Sequence, residues 1–178
     1  MMFLPQRPYF TQGSLRDQIT MPDRLGNEVD EALLEILQTV GLYKDLDLAL
    51  GASVKKGGDE VEEIESGRFW GCSCDGNINV DEGAEHRFMD TKGNWYVTLT
   101  PGQQQLLSFA RVLYHKPQIL LMDEATSAVN CKDLFYSELQ KLGVVYLSVS
   151  HDETLDRYHD QVIRLKSDGK LGWTFTKQ

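Results

Sequence analysis

The chain has 178 residues, of which 41% are hydrophobic and 25% are charged, and its formal net charge is −9. This length and composition predict a soluble globular protein, and no apolar run reaches the ~18 residues needed to cross a bilayer. The lack of a basic face argues against a nucleic-acid partner, and three cysteines are too few for a secreted disulfide framework, so we expect a cytosol-facing protein.

Residues 1–50 are predicted to form a short strand followed by a small helical lobe. The apolar residues at the start give way to Gln6, and Ser14 is a good N-cap for a helix that begins just after it. In the next stretch apolar residues recur at helical spacing, and Gly41 is placed to end that helix. Asn27 could cap its start.

Residues 51–93 are predicted to be an acidic, flexible insertion. Within 55–90 the sequence has ten acidic and four basic residues, and few apolar residues recur at regular spacing. Cys72, Cys74 and His86 could contribute to a metal site, but their spacing is not that of a zinc knuckle and a fourth ligand is not evident. A plain loop is therefore the favoured interpretation of this segment.

Residues 94–178 are predicted to be the ordered core. The spacing of apolar residues from about Gly102 to His115 indicates a helix, which Pro117 would end. The continuous apolar run 118–122 is typical of a strand that is buried on both faces.

The rest of this segment continues the alternation of helices and strands. A helix is expected at 132–142 and a second buried strand at 144–149. Two further strands, at 162–165 and 171–175, would form a hairpin across the turn 168–169. Strand, helix, strand and helix in this order predict an α/β fold with a parallel sheet.

Candidate catalytic groups stand where three of the predicted strands end: Gln6, the pair Asp123-Glu124, and His151. Ligands of a parallel sheet bind beyond the carboxyl ends of its strands, so these groups are expected to meet. Asp123 could hold a Mg²⁺ ion that bridges phosphate oxygens, and Glu124 could orient or deprotonate an attacking water. His151 could hydrogen-bond a terminal phosphate. The alternatives are a solvated helix cap for the carboxylates and a core histidine for His151.

The tripeptide Thr100-Pro101-Gly102 opens the long helix of the third segment. The free N–H groups and the dipole of a helix N-terminus can bind an anion, and Gly102 allows a close backbone approach. Taken alone, an ordinary Pro-Gly turn before a helix is the simpler interpretation.

Together these segments resemble the nucleotide-binding domain of ATP-binding-cassette (ABC) transporters. Gln6 matches the Q-loop glutamine, and Ser150-His151 matches the switch histidine. The other matches are Leu99–Gln103 with the signature motif (usually LSGGQ), Ile119–Asp123 and Glu124 with the Walker B strand and catalytic glutamate, and Ser127–Asn130 with the D-loop. The stretches FLPQRPYFTQGSLRDQITMPD, FARVLYHKPQ, YHDQVIRL and GWTF are most similar to subfamily D, which includes peroxisomal acyl-CoA and lysosomal cobalamin transporters.

The resemblance implies an incomplete ABC-ATPase (RecA-like) parallel sheet flanked by helices, with a helical lobe and an acidic disordered insertion. Two such cassettes would pair head to tail, as a homodimer or heterodimer, around ATP and Mg²⁺. Gln6 and Asp123 would help to hold Mg²⁺. Glu124 would be the general base, and His151 would contact the γ-phosphate. The residues that the resemblance assigns to ATP are Thr100, Pro101, Gly102, Gln103, Asp123, Ser127 and Asn130.

Of these, Thr100 and Gly102 would act on the ATP of the partner cassette. The resemblance further implies a transmembrane domain, normally in the same chain, and a location on the cytosolic face of an organelle membrane such as that of the peroxisome, lysosome or endoplasmic reticulum. The substrate would be lipid-like or a cofactor.

The phosphate-binding motif G-x-x-x-x-G-K-[S/T] does not occur in the sequence. We interpret the chain as the C-terminal portion of a longer transporter or as a truncated gene product, and we expect it to bind ATP weakly by itself. Two alternatives are a catalytically inactive fragment that docks on another cassette, and a non-transport ABC ATPase of the chromosome-maintenance or DNA-repair type.

Overall fold

A parallel sheet of three strands organises the part of the chain that this computed structural model describes, namely residues 1–23, 30–46, 88–165 and 172–177. The elements in chain order are β1 (Met2–Leu4), α1 (Leu15–Thr20), α2 (Asp30–Thr39), α3 (Trp95–Thr98), α4 (Pro101–His115), β2 (Ile119–Asp123), α5 (Lys132–Lys141), β3 (Val145–Val149), a 3₁₀ helix (Glu153–Tyr158), β4 (Gln161–Leu165) and β5 (Trp173–Lys177).

The strand order of the sheet is β1-β2-β3, and both pairings are parallel. Leu4 lies opposite Met122, and Asp123 lies opposite Val149. The carboxyl ends of the three strands therefore meet at one edge of the sheet, which confirms the predicted parallel α/β fold.

One face of the sheet is buried, whereas two-sided burial had been expected from the apolar runs. Leu120 and Met122 of β2 lie in the core beneath α4 and α5, whose side chains Phe109 and Phe135 stack at 3.8 Å. On the opposite face the apolar side chains of all three strands are exposed: Phe3, Ile119, Val145, Leu147 and Val149. The expectation of two-sided burial is wrong because, among the described residues, helices cover this sheet from one side only.

The long helix α4 begins and ends for local reasons that the sequence displays. Thr100 is its N-cap and forms a capping box with Gln103, while Pro101 occupies the first turn, where its missing N–H costs nothing. At the other end, Lys116 adopts a left-handed conformation just before Pro117. The predicted helix is confirmed, with its start one residue earlier.

The helices near the start of the chain pack against α4. Ser14 caps α1 through a capping box with Asp17, as predicted for the cap, and Gly41 follows α2 with a φ of +74°. Arg111 of α4 donates to the carbonyl oxygen of Tyr9 at 2.6 Å, and burial lowers the pKa of Arg111 to about 10. These contacts fix the segment after Gln6 against the helix that carries the signature-like residues.

Strands β4 and β5 form the predicted antiparallel hairpin. Its expected turn at 168–169, the proposed cap Asn27, and the Cys72, Cys74 and His86 group lie outside the described residues. The division at residues 50 and 93 stays a prediction. Among the described residues, helices fall short of the length and apolar character that a membrane span requires.

Candidate functional site

The carboxylate of Glu124 lies at the centre of the candidate site. It follows β2 directly, and both of its oxygens have a partner from another strand end. Gln6 Nε2 donates to Oε2 at 2.7 Å, and His151 Nδ1 lies 2.9 Å from Oε1. The structure thus brings together Gln6, Glu124 and His151, which are separated widely in the sequence.

The chemistry of this arrangement follows from the protons that each group carries. An ionised carboxylate only accepts hydrogen bonds, so Nδ1 of His151 carries the proton of their bond. Each oxygen of Glu124 has a second lone pair, which can accept a hydrogen from a water molecule. The side chain of Glu124 is 27% exposed and that of His151 is 77% exposed, so solvent reaches both groups. The arrangement is suited to orienting a water and accepting its proton.

The backbone of Glu124 has an unusual conformation for a residue with a side chain. Its φ is +46°, in the left-handed region. The N–H of Glu124 donates to the carbonyl of Val149 at 2.9 Å, and the carbonyl of Glu124 accepts from Ser127 N–H at 3.1 Å. A non-glycine residue in this region has a strained backbone, which costs of order 1–3 kcal/mol. The conformation persists only where neighbouring groups hold it in place.

The signature-like residues lie at the start of α4 and do not join this cluster. Gln103 closes the capping box with Thr100 N–H at 2.9 Å and donates to Asp45 at 3.2 Å. Thr100 and Pro101 are exposed and Gly102 is buried. Among the described residues, these side chains make no hydrogen bond to the groups around Glu124.

Known proteins provide an independent comparison. A family model described as "ABC transporter" matches residues 77–127. The lysosomal cobalamin transporter ABCD4 of Mus musculus is 31% identical over 99% of this chain and 24% of its own length. ATP-binding cassette sub-family D member 3 of Mus musculus is 30% identical over 99% of this chain and 22% of its own length.

The chain is similar to the nucleotide-binding part of ABC transporters, and these relatives belong to subfamily D.

It spans about a quarter of the length of the curated relatives it matches. A bacterial Atm1-family ABC exporter, solved with ATP bound, agrees with this chain in fold, with a TM-score of 0.58 and 15% identity over 91% of this chain and 23% of that chain. ABC transporters hydrolyse ATP, and their cassettes bind it with Mg²⁺.

The oxygen donors around Glu124 fit a Mg²⁺ ion that is bound together with a nucleotide. Asp123 is exposed at the end of β2, and the amide oxygen of Gln6 is the atom not committed to Glu124. Mg²⁺ is bound by one or two protein oxygens together with water and phosphate oxygens, not by an all-protein cage. Among the described residues, no group of three or more His, Cys, Asp or Glu side chains is arranged to hold a metal ion.

Two contributors to the candidate site around Glu124 were not predicted from the sequence. Gln105 of α4 is only 5% exposed and hydrogen-bonds the D-loop at Ser127 and Ala128. Its signal was visible, because a glutamine stands on the apolar face of α4 four residues before Phe109. Asn130, which was predicted from the resemblance, is exposed and has no role that the geometry defines.

The second contributor is an ion pair beside His151. Lys132, at the start of α5, bonds the carboxylate of Asp152, which follows the histidine directly. The hydrogen bond from the Lys132 ammonium holds the pKa of Asp152 well below its usual range. The two residues join the end of the D-loop to the switch-histidine loop. The sequence offers no spacing rule that would have linked them.

Proposed function

We propose that the chain supplies the catalytic carboxylate side of an ATP-hydrolysing cassette in an ABC half-transporter. The observation that supports this most directly is the carboxylate of Glu124, held by the Gln6 amide and the His151 ring at the carboxyl edge of the sheet. In the proposed reaction, a water oxygen bonds to the γ-phosphorus, the bond to the β-phosphate oxygen breaks, and Glu124 takes the proton of the water.

The remaining groups of the site have supporting roles in this proposal. Gln6 and Asp123 would help to hold Mg²⁺, which would supply positive charge to the phosphate oxygens. His151 directs Nε2 toward the terminal phosphate. Nδ1 of the same ring is engaged with Glu124, so Nε2 is the ring nitrogen left for the phosphate.

The exposed start of α4 has a different role in the proposal. Thr100, Pro101, Gly102 and Gln103 bind the ATP of a second cassette, which is a copy of this chain or a related one. Their separation from the groups around Glu124 supports this division. Ser127 and Asn130 belong to the D-loop that faces the same partner.

The wider setting of the proposed activity comes from the relatives. The mouse protein named above is a lysosomal cobalamin transporter. By analogy, the chain works on the cytosolic face of an organelle membrane, with a transmembrane domain and a lipid-like or cofactor substrate.

The decisive test uses a chimera in which the phosphate-binding segment of a subfamily D relative precedes Met1. We expect this chimera to hydrolyse ATP with Mg²⁺, and we expect Glu124→Gln to lower kcat by roughly 10²–10⁴-fold, the usual contribution of a placed base. Glu153→Gln is the matched control, because Glu153 is an exposed carboxylate on the neighbouring 3₁₀ helix.

A chimera without ATPase activity, or one in which both variants lose activity equally, contradicts the proposal. The chain without the added segment is expected to show no turnover. ATP hydrolysis by that chain, lost in Glu124→Gln, would show that the phosphates can be held without the G-x-x-x-x-G-K-[S/T] motif.

A catalytically inactive subunit that docks on a complete cassette is the second candidate function. The observation that favours it is the start of α4, where Thr100 and Pro101 are exposed and accessible to another cassette. It predicts that adding this chain to a relative's cassette with a defective signature motif restores ATP hydrolysis, and that Gly102→Asp in this chain prevents the rescue.

A further inference from the structure

Gln105 is one of three buried polar residues of α4, with Ser108 and Arg111, and its side chain bonds residues of the candidate site. Only 5% of the residue is exposed. Burying an amide without partners is unfavourable by several kcal/mol in an apolar medium. The hydrogen-bond partners of Gln105 therefore explain how its amide is stable in the interior. Those partners belong to two segments of the site: the loop after β1 and the turn after β2 that runs from Glu124 into the D-loop.

The shortest of these bonds join Gln105 to the D-loop. Oε1 accepts from the backbone N–H of Ala128 at 2.9 Å, and Nε2 donates to Ser127 Oγ at 3.2 Å. One amide therefore binds consecutive residues of the D-loop through its acceptor and its donor. This fixes the orientation of the amide as well as that of the loop.

The same amide nitrogen also lies near the backbone of two candidate catalytic residues, Gln6 in the loop after β1 and Glu124 at the start of the D-loop turn. Nε2 lies 3.5 Å from the carbonyl oxygen of Gln6 and 3.5 Å from that of Glu124. These contacts are long, because the two N–H groups of one amide are shared among three acceptors. They nevertheless place one side chain between the Q-loop glutamine, the catalytic carboxylate and the D-loop.

The contact with Glu124 bears on the strained backbone of that residue. Its left-handed conformation needs to be fixed from outside, and the partners of its carbonyl oxygen are Ser127 N–H and Gln105 Nε2. Gln105 in turn holds Ser127. The direction of the Glu124 carboxylate is thus coupled to the position of α4, the helix that begins with the signature-like residues.

We propose that Gln105 is a positioning residue, which couples the start of α4 and the D-loop to the orientation of the catalytic carboxylate. It does not touch the nucleotide in this role. A partner that engages Thr100–Gln103 or the D-loop would reach Glu124 through this amide. The proposal rests on the proposed function, because it assigns Glu124 the role of base.

The first test measures amide hydrogen exchange of the full chain at single-residue level by mass spectrometry. Gln105→Leu is expected to raise exchange at Ala128 by about ten-fold or more, because a buried N–H loses its acceptor. Gln105→Glu should raise it less, since a carboxylate still accepts that bond. Gln104→Leu is the control, because the amide of Gln104 bonds the carbonyl oxygens of Tyr96 and Leu99 and not the D-loop or Glu124.

The second test measures ATP hydrolysis in the chimera described above. Gln105→Leu is expected to lower kcat by about ten- to a hundred-fold with KM for ATP unchanged, as for a misplaced catalytic group. Gln105→Glu should recover part of kcat, and Gln104→Leu should match the wild type. A merely structural role would lower the amount of folded protein and leave kcat per folded molecule unchanged.

Two results overturn the proposal: unchanged exchange at Ala128 in Gln105→Leu, or a Gln105→Leu chimera with wild-type kcat. Failure of the proposed function is distinguishable from these, because it shows as a wild-type chimera without Glu124-dependent hydrolysis. In that case the exchange result alone decides whether Gln105 orders the D-loop.

Discussion

The two carboxylates around Arg16 offer a matched pair for measuring what burial does to an ion pair in this fold. Asp30 binds the guanidinium through both oxygens at 2.7 Å and is 2% exposed. Asp90 binds it once at 2.6 Å and is 55% exposed. The hydrogen bond from Asp30 is the main reason that the pKa of Arg16 is raised above its usual value.

Asp30→Asn and Asp90→Asn should therefore differ strongly in stability. Asp30→Asn leaves the Arg16 guanidinium with only its single bond to the exposed Asp90. Breaking a buried pair costs about 3–5 kcal/mol, whereas an exposed pair is worth about 1 kcal/mol or less. With a urea m-value of about 2 kcal/mol/M, Asp30→Asn lowers the unfolding midpoint by about 1.5–2.5 M and Asp90→Asn by about 0.5 M at most.

Trp95 is a suitable reporter for this measurement. Its indole N–H donates to the Gly13 carbonyl at 3.1 Å, and the residue is 1% exposed, next to α1. Replacing Trp70 and Trp173 by Phe leaves it as the only tryptophan, and dilute samples limit association. Glu31→Gln is the control, since Glu31 is an exposed carboxylate in the same first turn of α2.

The reasoning is refuted if the Asp30→Asn and Asp90→Asn variants shift the midpoint equally. The reasoning also requires that the double variant Arg16→Met with Asp30→Leu be more stable than Asp30→Asn alone. In the double variant no charge is buried without its partner. A double variant that is less stable than the single one would assign the loss to packing.

Two further predictions concern the exposed sheet face and the Lys132–Asp152 pair. The isolated chain should self-associate through its exposed strands, and Leu147→Lys should lower the association measured by light scattering; a monodisperse wild-type monomer would contradict this. Since Lys132 depresses the pKa of Asp152, their pair stabilises the switch-histidine loop above about pH 4 and loses this effect in more acidic solution. Exchange of the His151 amide should rise in Lys132→Asp and return toward the wild-type rate in Lys132→Asp with Asp152→Lys, and a double variant no better than the single one would refute the pairing.

The elements that the sequence predicted well are those whose signals are local. The α4 helix has a capping box, a proline in its first turn and a regular apolar face, and each of these acts within a few residues. The end of α2 was visible in Gly41 for the same reason, because few other residues tolerate its positive φ. The order of strands and helices then predicted the parallel sheet without knowledge of any distant contact.

Burial could not be predicted in the same way, because an apolar run does not say how many layers cover it. The runs that became β2 and β3 suggested two covered faces, yet Val145 and Leu147 are 68% and 64% exposed. In both strands the exposed and more buried residues alternate, which is the pattern of a sheet covered on one side. The composition of these two runs therefore predicted more buried residues than the structure has.

The candidate site shows the same division between local chemistry and distant geometry. The place of Glu124 after a predicted buried strand suggested the role of a base, but neither its left-handed backbone nor its partners were visible in the sequence. Gln6 is 118 positions away along the chain, and His151 is 27 positions away. A glutamate that stays in an unfavourable conformation must be fixed by several other groups, and here these groups include Val149, Ser127 and Gln105. The backbone strain and the proposed chemistry thus both belong to Glu124. A change in α4 or the D-loop would affect hydrolysis through this residue.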